Sequence, residues 1–375
     1  MTGSGSTPLQ LVADRIRLWF DAAWPLWLEQ GMDGGGLFHE QLDLAGRPDL
    51  SPPRRVRVQA RQLYAVSRAQ AAGYPAANAM LATALEAVER RCWGKAGGPG
   101  WIHLLTPAGE PSNTLRDLYD QAFVLFALAG VRQAGFEHAL TLGRRTLDFI
   151  DTALADHDVG GYREGLPDSL PRRSNPHMHL LEAFLAWHAV TGESEFLDRA
   201  NRIAWLFAEH FFDRTNRTLG EFFDAKFVRL PGARGDVVEP GHHFEWSWLL
   251  HRLAEAGGTD LRHEARTLHD WAVGHGLDAN GFAIDESDRS GRATRSTRRV
   301  WPQTELIKST LANGDTEAAA RVAGAFLDSY LATPIEGLWV DQFDQAGAAM
   351  SSTVPASTFY HIIVAFEDLL RMAGG

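Results

Sequence analysis

Apolar and polar positions alternate along this chain in two patterns that take turns. In EFLDRANRIAWLFAEHFF, Phe196, Ala200, Ile203, Ala204 and Phe207 fall on one face of a helix. The segment before it, SNPHMHLLEAFLAWHAVTG, also reads as a helix, with Ser174 or Asn175 as its cap, Pro176 in its first turn and Gly192 at its end. The same pair returns as VRVQARQLYAVSRAQAAG with AANAMLATALEAVERRCW, and as EPGHHFEWSWLLHRLAEAGG with LRHEARTLHDWAVGHG. Between pairs lie short segments of Gly, then an aromatic or aliphatic residue, then often an acid. Six occur: GGGLFHEQLDLAGRP, GGPGWIHLLTPAGEP, GGYREGLPDSLP, LGEFFDAKFVRLPG, NGFAIDESDRSGR and EGLWVDQFDQAGA. Each predicts a strand, a tight turn and a second strand.

The period is about sixty residues, and no break in composition interrupts it. Solenoid repeats are shorter, about 33–47 residues. Six helix pairs of this length predict one closed all-α ring, an (α/α)6 barrel with six inner and six outer helices and short β-hairpins in its loops. The barrel is expected to occupy residues 11–375 as one domain, with residues 1–10, MTGSGSTPLQ, as a disordered tail.

Polar residues that are unusual in buried helices collect where the first helix of each pair begins. Arg61, Tyr119, His179, His242, Gln303 and His361 recur at steps of 58 to 63 residues, so they hold one phase of the repeat. In a closed ring, that phase converges at one end of the central cavity. His242 and Glu245 share a helix face at i, i+3, and His179 and Glu182 repeat the spacing. Glu245 is expected to hold His242 in a useful tautomer or to bind a substrate hydroxyl. His177 and His179 point about 200° apart, and His242 and His243 about 100° apart, so neither pair addresses one ion. His177 and His243 are assigned structural roles. A metal held by His179, His242 and His361 across the cavity is the surviving metal alternative. Glycoside hydrolysis is a second alternative, with Asp120, Glu182, Glu245 and Glu305 as its carboxylates. A non-catalytic, aromatic-lined toroid is a third, because the chain carries 12 tryptophans.

Composition narrows the partners. The net charge of −11 argues against nucleic acid and anionic membrane surfaces. Cys92 is the single cysteine, which excludes an intrachain disulfide. No apolar run approaches the ~20 residues that span a bilayer, and a cytoplasmic location is expected. A monomer or weak homodimer is expected, acting on a small molecule. Arg54, Arg55, Arg57, Arg172, Arg173, Arg295, Arg298 and Arg299 cluster just before the polar positions. They predict either an anion site at the rim or arginines paired with acids.

RVQARQLYAVS, NPHMHLLEAF, EPGHHFEWSWLL, VWPQTEL and FYHI, in that order, resemble the N-acylglucosamine 2-epimerase superfamily from about residue 15 to 370. Its members include aldose–ketose isomerases acting on mannose or sulfoquinovose, cellobiose 2-epimerases and N-acylglucosamine 2-epimerases. The resemblance implies an (α/α)6 barrel. It makes His242 and His361 the general acid/base pair and places Arg61 near the reacting C1 and C2 oxygens. Asn175, His179, Glu245 and Trp301 would line the sugar site, with Glu182 and Tyr119 beside them. Trp246 follows Glu245 where the epimerases typically carry Ala or Gly, a form associated with the isomerase branch. The expected reaction is mannose to fructose through an enediolate, with no nicotinamide, flavin or metal. Epimerisation at C2, or isomerisation of a phosphorylated or sulfonated hexose, are the alternatives.

Overall fold

The computed structural model describes residues 7–374; most of the expected N-terminal tail, residues 1–6, lies outside them. Residues 8–10 of that tail are helical instead. Helix α1 (Pro8–Gln30) opens on a capping box in which Thr7 and Gln10 satisfy each other's backbone N–H groups.

Six inner helices follow one another around the axis: α2 (Val56–Ala71), α4 (Leu118–Gln133), α6 (Ser174–Thr191), α9 (Pro240–Glu255), α11 (Val300–Ala312) and α13 (Ala356–Gly374). Each packs on the next, and α13 packs back on α2, so the ring is closed. The outer layer holds α1, α3 (Pro75–Cys92), α5 (His138–Phe149), α7 (Ser194–Leu206), α10 (Arg262–His275) and α12 (Thr316–Ser329); a short helix α8 (Gly232–Asp236) lies in one loop. Inner helices are buried nearly all round, whereas α7 buries the stripe Phe196, Ala200, Ile203 and Ala204. The architecture is the expected (α/α)6 barrel, with one difference in its pairing. The chain begins on an outer helix and ends on an inner one, so the sixth pair is α13 with α1, drawn from both ends of the described chain. Trp27, stacked on Trp339 and Phe359 at ring-centroid distances of 5.0 and 5.2 Å, fills that seam. Helix α6 starts at Ser174, so neither Ser174 nor Asn175 is its cap, while Gly192 ends it at φ 72° as expected.

The short strands form a crown at one end of the barrel. The strand before each inner helix pairs antiparallel with the hairpin of the following repeat: 54–55 with 104–105, 116–117 with 165–166, 172–173 with 222–223, 237–238 with 287–288, and 298–299 with 342–343. The last strand, 353–355, returns to the first hairpin at 41–43 and closes the circle. Strands of two residues have too few ladder bonds to stand alone, so the pairing between repeats is what holds them.

A second contact fixes each hairpin to its own helix. The fourth residue of five inner helices is Gln59, Gln121, His177, His243 or Gln303, and each side chain takes the N–H of a hairpin residue: Phe38, Trp101, Tyr162, Leu219 and Ala283. The three glutamines also donate to the same residue's carbonyl. In the sixth repeat Phe359 stacks on Trp339 instead. Burial lowers His177 to about 4 and His243 to about 3, so both work as neutral acceptors, in agreement with their structural assignment. Gln303, placed with the cavity residues from its spacing, belongs to this set and faces away from the cavity.

No helix among the described residues is long and apolar enough to cross a membrane. Gln121→Leu keeps the side chain's bulk but strands the buried N–H and C=O of Trp101, and should cost about 2 kcal/mol or more. Urea unfolding measures it; an unchanged midpoint would mean that this latch carries no weight.

Candidate functional site

All six inner helices start at the crown, so their N-termini surround the barrel mouth and favour negative charge there. Below the crown the inward face of each helix repeats at i, i+3 and i+4. The sixth residues of the six helices are Arg61, Phe123, His179, Glu245, Glu305 and His361, and the ninth are Tyr64, Phe126, Glu182, Trp248, Lys308 and Val364. The true phase therefore has Phe123, Glu245 and Glu305 where spacing alone gave Tyr119, His242 and Gln303. His242 lies nearly one turn higher, closer to the mouth. A cavity of about 400 Å³ occupies this end, and its wall includes Arg61, Tyr119, Asn175, His179, His242, Glu245, Trp301 and His361. Eight of the nine expected site residues are brought together. The ninth, Glu182, is one layer deeper and accepts from His179 Nδ1 at 3.0 Å and from Tyr360. It orients His179 rather than meeting a substrate.

Each of the three cavity histidines is tied to a carboxylate through Nδ1. His242 reaches Glu221 Oε2 at 2.9 Å and His361 reaches Glu305 Oε1 at 2.9 Å. A carboxylate acceptor requires the proton on Nδ1, which turns Nε2 toward the cavity. The Nε2 of His179 lies 4.0 Å from Glu245 Oε1. Glu245 thus does not hold His242; Glu221 does. It comes from the fourth hairpin, 21 residues before His242. The Gly-aromatic-acid pattern had marked that hairpin, but only the crown folds its acid over the mouth.

The charges of the two principal histidines diverge. Burial alone would lower His242, but Glu221, Glu239 and Glu245 outweigh it and raise its pKa to about 10. Burial lowers His361 well below the usual value, and Arg61 and Lys308 push in the same direction. His242 is therefore an imidazolium at neutral pH and His361 a neutral base. Asn175 meets His242 Nε2 at 3.1 Å, and its Oδ1 is otherwise buried without a partner. Turning that amide over leaves its shape unchanged and sets Oδ1 to accept the Nε2–H of a charged His242. Trp301 lies between the two histidines, with ring centroids 5.0 Å from His242 and 6.0 Å from His361. It is the one tryptophan of the cavity wall. Trp246 is fully buried and stacks on Phe207 at 4.8 Å, so it cannot touch a ligand.

The arginines near the mouth are neutralised. Arg54 pairs with Asp33, Arg55 with Glu40, Arg57 with Asp120, Arg172 with Asp168, Arg173 with Glu164, Arg295 with Glu286, Arg298 with Asp278 and Arg299 with Asp285. Arg61 differs. Its guanidinium donates to the Ser357 carbonyl at 3.1 Å and to the Tyr119 hydroxyl at 3.0 Å, and it lies 4.0 Å from the Phe123 ring centroid. Among the described residues it is the arginine of the cavity wall without a carboxylate partner.

The carboxylates that hydrolysis would need are committed elsewhere. Asp120 is tied to Arg57 and His103, Glu182 to His179 and Tyr360, and Glu305 to His361 and Lys308. Glu245 alone of the four keeps a buried oxygen without a partner on the cavity wall. Three clusters have the ligand spacing of a metal site: His179 with Glu182 and Glu245, Glu221 with Glu239 and His242, and Glu245 with Glu305 and His361. The cross-cavity trio of His179, His242 and His361 does not form such a cluster among the described residues.

A second cavity, about 530 Å³, opens at the opposite end beyond Glu182 and Trp248. Its acids are already partnered: Glu367 by Arg68, Asp368 by Trp248 and Glu255 by Arg252.

Comparison with known proteins bears on the fold and the family. A mannose-6-phosphate isomerase of Rhizobium meliloti (strain 1021) is 36% identical over 96% of this chain and 97% of its own length. A D-mannose isomerase of Thermobifida fusca is 26% identical over 81% of this chain and 80% of its own. The crystal structure of a D-mannose isomerase superposes with a TM-score of 0.85 at 19% identity, covering 96% of this chain and 98% of that one, a likeness of fold. The family model for N-acylglucosamine 2-epimerase (GlcNAc 2-epimerase) matches residues 36–365, and the chain belongs to that family of sugar isomerases and epimerases.

Proposed function

We propose that the protein is an aldose–ketose isomerase acting on an unphosphorylated hexose, with D-mannose and D-fructose as its substrate pair. The observation that carries the proposal is the divergence of two histidines flanking one tryptophan: a charged His242 and a neutral His361, with Arg61, which has no carboxylate partner, on the same cavity wall. Two titratable groups pushed apart in this way divide the roles of acid and base.

The charged His242 donates its Nε2 proton to the ring oxygen as the C1–O5 bond breaks, and takes up the O1 hydroxyl proton as the C1 aldehyde forms, so that it is charged again in the open-chain complex. The neutral His361 then takes the C2 proton at Nε2. The released electron pair forms the C1–C2 double bond, and the carbonyl pair moves onto O1, where Arg61 meets the developing charge. Return of the proton from His361 to C1, with the O2 hydroxyl proton passing to O1 as C2 becomes the carbonyl, completes the ketose. Glu245, His179 and Asn175 bind the sugar hydroxyls, and Trp301 packs on the sugar's apolar face.

Substrate charge divides two readings. Neutralised arginines on the cavity wall support a hexose without phosphate, as in the relative named for D-mannose. The more similar relative is named for mannose 6-phosphate, and Arg55 and Arg299, both at the wall, are the residues that an anion would have to draw from Glu40 and Asp285.

Three outcomes test the proposal. Mannose incubated with the protein in D2O should give fructose carrying deuterium at C1, followed by proton NMR. Glucose with deuterium at C2 and no fructose would make the protein an epimerase, and preferred turnover of mannose 6-phosphate would select the second reading. His361→Ala and His242→Ala should each lower kcat by about 100-fold or more with the helical circular dichroism intact; full activity in either removes that residue from the chemistry. The alkaline limb of kcat/KM should fall near pH 10, where His242 loses its proton. Glu221→Gln deletes the charge that raises His242, so this limb should move down by about one to three pH units. A limb that stays in place would separate it from His242.

A further inference from the structure

The chain contains only three lysines, Lys95, Lys226 and Lys308, and the side chain of the third is wholly buried. Burying an ammonium costs several kcal/mol unless it is paired. Lys308 lies on α11 one turn below Glu305, with Nζ 2.6 Å from Glu305 Oε2 and 3.8 Å from the centre of the Trp248 ring. It is absent from the cavity wall and cannot touch a sugar. Its reach is indirect, because the other oxygen of Glu305 accepts the Nδ1–H of His361 at 2.9 Å.

Glu305 sits in an unfavourable place for a carboxylate. Burial, Glu245 from α9 and Glu182 from α6 raise its pKa well above the ordinary carboxylate value, and Lys308, with Nζ against Oε2, is what opposes them and favours the ionised form. His361 and Tyr360 of α13, His179 of α6 and Arg61 of α2 are the other titratable groups around this cluster. Without the ammonium, Glu305 would hold a proton. A carboxylic acid would then donate to Nδ1 of His361, and the imidazole would carry its own proton on Nε2. In that tautomer no lone pair faces the cavity. Lysine suits this position because it is a compact point charge that shares a proton, whereas a guanidinium is a wide planar fork.

We propose that Lys308 is a positioning residue for proton transfer: by keeping Glu305 an acceptor, it fixes His361 in the Nδ1–H tautomer with its Nε2 lone pair in the cavity. The catalytic part of this inference rests on His361 being the base of the isomerase reaction; the tautomer part does not.

Lys308→Met tests it. At pH 7 kcat should fall about 100-fold with KM little changed, and kcat should climb with pH as Glu305 ionises, where the unaltered protein is flat. In protein labelled with 15N-histidine, His361, recognised by its loss in His361→Gln, should show an unprotonated Nε2. In Lys308→Met the unprotonated nitrogen should be Nδ1. The same tautomer in both proteins overturns the proposal, whatever the activity. A tautomer switch in a protein that turns over no aldose would instead uphold the proposal and sink the isomerase reading. If the single variant does not fold, Glu305→Gln/Lys308→Met removes both charges together and leaves none uncompensated. Its kcat should equal that of Glu305→Gln alone; a further loss would mean that Lys308 acts other than through Glu305.

Discussion

The site depends on the crown, where each inner helix is preceded by a two-residue strand that pairs with the hairpin of the next repeat. That pairing, with a glutamine or histidine latch from the helix to its own hairpin, sets the height at which every inner helix begins. Helices that begin at one level bring their sixth residues to one level, and a functional layer follows from that alignment. The seam between α13 and α1 completes the circle. A slip of one residue in any strand would turn that helix's inward face by about 100° and remove its contribution from the cavity.

The hairpins also supply charge. Two residues beyond each latched position stand Glu40, His103, Glu164, Glu221, Asp285 and Asp341, one per repeat. Three of them fasten an arginine just before a helix: Glu40 on Arg55, Glu164 on Arg173 and Asp285 on Arg299. In the fourth repeat that position is Glu239 rather than arginine, and the hairpin acid Glu221 is free to take His242. There the hairpin acid holds a histidine of the cavity wall where the other three acids hold an arginine.

Opposite charge states of two similar histidines arise from their neighbours. His242 has Glu221, Glu239 and Glu245 around it; His361 has Arg61 and Lys308. The barrel's symmetry places both rings at one mouth, and the asymmetric distribution of acids and cations favours the charged form of one and the neutral form of the other. The same distribution leaves Arg61 without a carboxylate on a wall where Arg55 and Arg299 each have one.

The sequence by itself determined the helix count, the closed ring and the end at which chemistry collects, because apolar periodicity and repeat length are local properties of the chain. It also separated His177 and His243 from His179 and His242, since directions around a helix follow from 3.6 residues per turn. It misplaced Gln303, put Tyr119 and His242 in the layer that Phe123 and Glu245 occupy, and assigned His242 the wrong carboxylate, because steps of 58 to 63 residues fix a phase only to within a few positions. Glu221 over His242, Lys308 under Glu305 and the neutral arginine pairs are contacts between segments far apart in the chain or in different layers of it. Charge state depends on distance and burial across those layers, and only the closed tertiary structure decides either.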